Sequence, residues 1–173
     1  MNEVINNILT RASCREFTNQ TVSDEQLNLI AKCGVNAPCA MNLQDWQFTV
    51  LHNHNLMEEL AEAIRTVLSR DKGYNFYSPD ALIICSASSQ SRFGKEDCAC
   101  AMENMFLAAH SLGLGTCWIN QLRDICDRPE IRKVLTKIGL PENHHVWGMC
   151  AVGVPKNKPT PKNKDESKIL TVK

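Results

Sequence analysis

Between Glu96 and Leu112 the sequence is apolar on almost every side of a helix: Cys98, Ala99, Ala101, Met102, Met105, Phe106, Leu107 and Ala108 leave no broad polar face at about 3.6 residues per turn. Such a helix must be covered on most sides, by a large core or by a second subunit. The chain has 173 residues, the size of one domain, so the expected cover is a second copy of the chain. Gly113 is the expected C-cap.

The remaining elements follow from periodicity and caps. Residues 2–12 place Val4, Ile5, Ile8 and Leu9 on one helical face. Ser23-Asp-Glu-Gln26 is a capping box, followed by Leu27, Ile30 and Ala31 until Gly34 ends the helix. Trp46–Leu51 alternates like a strand, with Trp46 expected in the core. Asn55 is the expected cap of a helix carrying Leu56, Leu60, Ile64, Val67 and Leu68. Ala81–Ala87 reads as a buried strand and Thr116–Ile119 as a short one. Asp127–Glu130 opens a last helix with Ile131, Val134, Leu135 and Ile138, and Val146–Val154 ends the series as a strand. Helices and strands alternate irregularly, which predicts an α+β or mixed-sheet class.

Charge and hydropathy exclude several roles. Formal net charge is +0, so no global basic field draws nucleic acid. No apolar run reaches the length of a membrane span, and the opening MNEVINNILTR lacks the basic and apolar regions of a secretion signal. A soluble, cytoplasmic protein with no membrane partner is the expectation. Six lysines against Asp165 and Glu166 make residues 156–173 basic, and Pro155, Pro159 and Pro161 make them an extended arm or a solvated tail. Nine cysteines without a CxxC read as reduced, small hydrophobes, and no metal is expected. His144 and His145, adjacent on a strand, point to opposite faces.

Three segments could carry chemistry. Arg11-Ala12-Ser13-Cys14-Arg15 places two guanidinium forks around a hydroxyl, which suits a phosphate; the same residues also suit a solvated helix end. Asn36–Trp46 is a small, polar loop whose amides fit a heterocycle's edge, or an ordinary connection. Gly113–Gln121 ends a helix and enters a strand, the reverse of a dinucleotide fingerprint.

RASCREF, APCAMNLQDWQF, AAHSLGLGTCWI and VGVPKNKPTPKNK occur in that order along nearly the whole chain, which resembles the flavin-dependent nitroreductases in their short single-domain form. The resemblance implies an α+β homodimer, with a mainly antiparallel central sheet flanked by helices. Residues 1–155 would be the FMN-binding domain, and residues 156–173 its basic C-terminal arm, exchanged with the partner. It implies FMN as cofactor and NADH or NADPH as reductant, with ping-pong hydride transfer to a small planar acceptor such as a nitroaromatic or quinone. Arg11, Ala12 and Ser13 would hold the FMN phosphate with Lys162 and Lys164, and Arg15 would reach the ribityl and pyrimidine side. Asn36, Pro38, Cys39, Ala40 and Asn42 would face the flavin from the other subunit. Trp118, Ile119, Asn120 and Gln121 would line the ring, with the Asn120 N–H near flavin N5 and no catalytic acid or base. The chain departs from the family's habits at Cys39, Asp45 and Asn120-Gln121. The loop Asp71–Pro79 is short and offers little to substrate access. Reductive dehalogenation, ene reduction, a redox sensor or FMN store using Cys39 and Cys117, and a thiol or metal-binding protein are the alternatives.

Overall fold

The computed structural model describes residues 1–172. The chain runs α1 (Glu3–Thr10), α2 (Asp24–Val35), β1 (Trp46–Leu51), α3 (His54–Leu68), β2 (Ala81–Ser88), α4 (Gly94–Ser111), β3 (Gly115–Ile119), α5 (Pro129–Lys137) and β4 (His144–Gly153). The strands form one antiparallel sheet in the order β1-β2-β4-β3, which is the expected α+β arrangement. Alternation along the central strands divides the core in two. Leu82 and Ile84 of β2, with Met149 and Ala151 of β4, join α3 and α5 on one face. Ala81, Ile83 and Cys85, with Cys150 and Val152, join α2 and α4 on the other.

The chain covers α4 by itself. Cys98, Ala101, Met102, Met105 and Ala109 are fully buried between α2 and the sheet, so this helix does not need the second subunit expected from its composition. Each buried methionine contributes on the order of 1.5–3 kcal/mol. Close approach of α2 depends on Gly34, where a Cβ would stand 2.2 Å from Met105 Cε. Gly34 therefore lies inside α2, which runs on to Val35, instead of ending it.

Other boundaries move for local reasons. Asn53, not Asn55, caps α3, its side-chain oxygen accepting the Leu56 N–H at 3.1 Å. The α4 helix starts at Gly94, tucked under Ala87 and Trp147 where a side chain would clash. Trp46, on an edge strand, is half-buried beside Phe48. In α1 no residue is buried, and Val4, Ile5, Ile8 and Leu9 face outward. It is held to α4 by polar contacts, Asn7 Nδ2 donating to the Leu107 carbonyl at 2.9 Å and Thr10 Oγ1 meeting His110 Nε2 at 3.0 Å. No helix among the described residues is long and apolar enough to cross a membrane.

Candidate active site

Beyond Thr10 the backbone turns extended at Arg11 and runs along the ends of two strands. Ser13 bridges Thr116, and the Cys14 N–H donates to the Thr116 carbonyl at 2.7 Å. Phe17 bridges Pro155, and the Thr18 N–H donates to the Val154 carbonyl at 2.8 Å. Two glycines, opposite each other in register, make this docking possible. A Cβ at Gly115 would stand 2.7 Å from Cys14 Cβ, and one at Gly153 would stand 2.8 Å from Phe17 Cδ1. Alternation then buries Cys14 and leaves Ser13 and Arg15 exposed, with Ala12 half-buried.

Arg11 and Arg15 flank Ser13 along the chain and take different neighbours. Arg11 lies over the Phe106 ring at 5.9 Å, with Nε 3.5 Å from Glu103. Arg15 lies over the Tyr77 ring at 5.9 Å. A small recess of about 150 Å³ is bounded by Ser13, Arg15 and Glu16 and by Asn157, Lys158 and Pro159 at the start of the arm. Lys158 is thus the arm residue that this chain brings to Ser13, whereas Lys162 and Lys164 are exposed and do not line the recess.

Beside it, the turn after β3 forms one wall of a cavity of about 310 Å³. Trp118, Ile119, Asn120 and Gln121 face the Arg70–Tyr77 segment across it. Gly148 lets the Trp118 ring lie close on β4, since a Cβ there would be 3.1 Å from the indole. The indole N–H donates to Asn120 Oδ1 at 3.3 Å. Two buried polar atoms on residues lining this cavity, Gln121 Oε1 and the Tyr74 hydroxyl, have no partner within the protein. Burial pushes the Tyr74 phenol up, so it stays protonated and able to donate. The loop expected to contribute little therefore supplies the opposite wall. Phe76, Tyr77 and Ser78 hold φ of 59°, 72° and 53°, a left-handed run of non-glycine residues at a site rim.

The Asn36–Trp46 loop lies elsewhere. The Asn36 side chain donates to the Lys32 carbonyl at the end of α2, Pro38 is exposed and Cys39 half-buried. The Ala40 N–H donates to the buried carboxylate of Asp97 at 2.9 Å. Met41, Asn42 and Gln44 take φ of 53°, 54° and 51°, and Gln44 Nε2 donates to Asn42 Oδ1 at 3.0 Å. Asp97 and Phe106, which hold the loop and Arg11 respectively, are nine residues apart on α4, about 13.5 Å along its axis. One chain thus brings Arg11, Ser13, Arg15 and Trp118–Gln121 to one end of α4 and leaves the loop at the other. Burial pushes the Cys117 thiol up, only partly offset by nearby Arg15, which disfavours its thiolate. Tyr74, Tyr77 and Lys158 escape sequence reasoning because they join the site only through space.

Residues 8–154 match the model of the nitroreductase family. The chain belongs to that family. Among solved structures, this nitroreductase is similar to one with bound FMN from Bacteroides fragilis, at 36% identity and a TM-score of 0.93 over 100% of both chains. It is also similar to a nitroreductase with bound FMN from Desulfitobacterium hafniense, at 26% identity and a TM-score of 0.88, again over 100% of both. An NADPH-flavin oxidoreductase of Vibrio harveyi is 29% identical to it over 92% of this chain and 68% of the relative.

Proposed function

We propose that this nitroreductase is an FMN-dependent NAD(P)H oxidoreductase that reduces small planar acceptors, nitroaromatics or quinones, by a ping-pong route. The observation that carries the reading is the meeting of Ser13, Arg15 and Lys158 at one recess, with Arg11 two residues before Ser13, beside a cavity walled by Trp118–Gln121 and by Tyr74 and Tyr77. A cavity with aromatic rings on both walls and the amides of Asn120 and Gln121 along one of them fits a flat ligand with polar edges. FMN, when bound, supplies the two-electron chemistry.

The protein's task is to bind and orient. Arg11 and Ser13 offer a charge-assisted fork and a hydroxyl to a phosphate, and Lys158 adds a cation from the arm. Arg15 favours negative charge on the neighbouring heterocycle. Asn120 and Gln121 offer amide groups at its edge. The Asn36–Asn42 set completes the site from a second copy of the chain, since its own chain holds it at the far end of α4. No acid–base side chain is required, and a single open face serves the nicotinamide and the acceptor in turn.

The test is the absorption spectrum of the purified protein under anaerobic conditions. A yellow protein that bleaches with NADH or NADPH and recovers its colour on adding a quinone supports the reading. A colourless protein, or a yellow one that neither nicotinamide bleaches, overturns it.

A further inference from the structure

Five residues beyond Gln121 the fold assembles a constellation that the flavin chemistry does not use. We propose that Cys126, Asp127 and His145 bind one divalent cation of the zinc class, with solvent in a fourth position.

Cys126 lies in the turn before α5 and is buried, its amide donating to the Leu122 carbonyl at 2.8 Å. Asp127 is the next residue and is exposed. His145 comes from β4, paired opposite Ala87. Its neighbour His144 points to the other face, where Nδ1 meets Ser86 Oγ at 3.1 Å. Cys126 Sγ stands 3.4 Å from His145 Nδ1, and Asp127 Oδ2 stands 3.5 Å from the same nitrogen. The three ligand atoms lie within 4.8 Å of one another.

That both partners address one ring nitrogen decides between uses of the cluster. In a nucleophile–base–acid relay the thiol and the carboxylate take opposite nitrogens of the imidazole, so this is not a relay. Hydrogen bonding serves both only through one Nδ1 proton shared between sulfur and carboxylate. With a proton, Nδ1 can donate to the carboxylate but cannot accept from the thiol; without one, it accepts from the thiol but turns a lone pair on the carboxylate. A cation at the centre satisfies all three donors. Tetrahedral zinc, with sulfur at about 2.3 Å and nitrogen and oxygen at about 2.0–2.1 Å, spaces sulfur and nitrogen about 3.5 Å apart and nitrogen and oxygen about 3.3 Å. The two separations from Nδ1 are close to those edges, and sulfur and oxygen lie within 4.8 Å of each other.

The surroundings hold the ligands in that pose. Asp127 Oδ1 accepts from Arg132 Nη2, and the same guanidinium donates to the His144 carbonyl at 3.1 Å, which leaves Oδ2 facing the imidazole. The His145 ring packs on Trp147 with centroids 4.5 Å apart. Imidazole with thiolate selects zinc over magnesium or calcium. The ion would tie the turn that begins at Asn120 to the centre of the sheet.

Cobalt(II) titration of the full-length, reduced protein tests this, because tetrahedral cobalt absorbs in the red, where flavin does not. The expected result is one cobalt per chain, displaced by zinc. In Cys126→Ser and His145→Gln the band should vanish, and Asp127→Asn should bind cobalt about tenfold or more weakly. Because Asp127 is exposed, that variant keeps its fold and carries the test even if the other two do not. Absence of a stoichiometric tetrahedral band in the parent protein, or a band unchanged in Asp127→Asn, overturns the proposal.

Discussion

Arg11 and Gly115 show how single residues set the proposed cofactor site by different means. Among the described residues Arg11 pairs only with Glu103, at 3.5 Å and with that carboxylate half-exposed, so little is lost when it turns to a phosphate. Arg11→Ala is expected to weaken FMN by about 1.5–3 kcal/mol in a fluorescence titration, the scale of a charge-assisted hydrogen bond, and to leave riboflavin binding unchanged. Equal affinity of the parent protein for FMN and riboflavin would remove the phosphate role. Gly115 acts through space that it leaves empty. Gly115→Ala drives a methyl group into Cys14 and should lift residues 11–15 off β3, costing about 1–3 kcal/mol of stability together with FMN affinity. Gly113→Ala is the matched control, since nothing lies within 4 Å and only its φ of 75° is strained. It should cost about 1 kcal/mol in a denaturation curve and leave FMN affinity untouched.

At the scale of elements, three joints of the fold meet in one polar cluster. His52, just past β1, places Nδ1 2.9 Å from Asp24 at the start of α2, and Nε2 3.0 Å from Asp80 just before β2. Asp80 also accepts the Val22 N–H at 2.8 Å. Chiefly through the Asp24 hydrogen bond, then through Asp80, the His52 pKa is raised above its ordinary value near 6.5 despite partial burial. A raised folded-state value means stability that is fully present below the unfolded value and lost as pH climbs through the folded one. Urea midpoints at about pH 5.5 and about pH 8.5 should therefore fall with rising pH, and Asp24→Asn should shrink that fall. An identical pH difference in both proteins would refute the assignment.

Elements of this kind are also where the sequence is most legible. The Ser23–Gln26 box is present with both of its hydrogen bonds, because capping is decided within four residues. Gly34 misleads because its reason, Met105, comes from another helix. Nothing local marks residues 76–78 as left-handed, so their wall of the cavity is invisible in the chain. Spacing offers Arg11, Ser13 and Arg15 equally as a phosphate site or a solvated helix end, and only the family resemblance selects the first, whereas Lys158, Tyr74 and the Cys126–His145 pair are joined only by folding.

For the whole molecule, the case for a homodimer moves from α4 to its surroundings. With α4 covered internally, the outward apolar face of α1 and the exposed Ile169, Leu170 and Val172 of the arm are what a partner would bury. Truncation after Pro155 is expected to lower the mass seen by light scattering and the FMN occupancy together, since Lys158, Lys162 and Lys164 leave with the arm. A truncated protein that remains a flavin-loaded dimer would show that the arm serves neither purpose. The docking of residues 13–18 has a consequence for synthesis. These residues leave the ribosome early, yet their hydrogen-bond partners are Thr116, Val154 and the Lys156 N–H that Glu16 accepts. The segment proposed to bind phosphate must wait, without a sheet to join, until nearly the whole chain has been translated. On the proposed reading, cofactor capture is a late event in the life of each molecule, closed to a nascent chain that stalls before Val154.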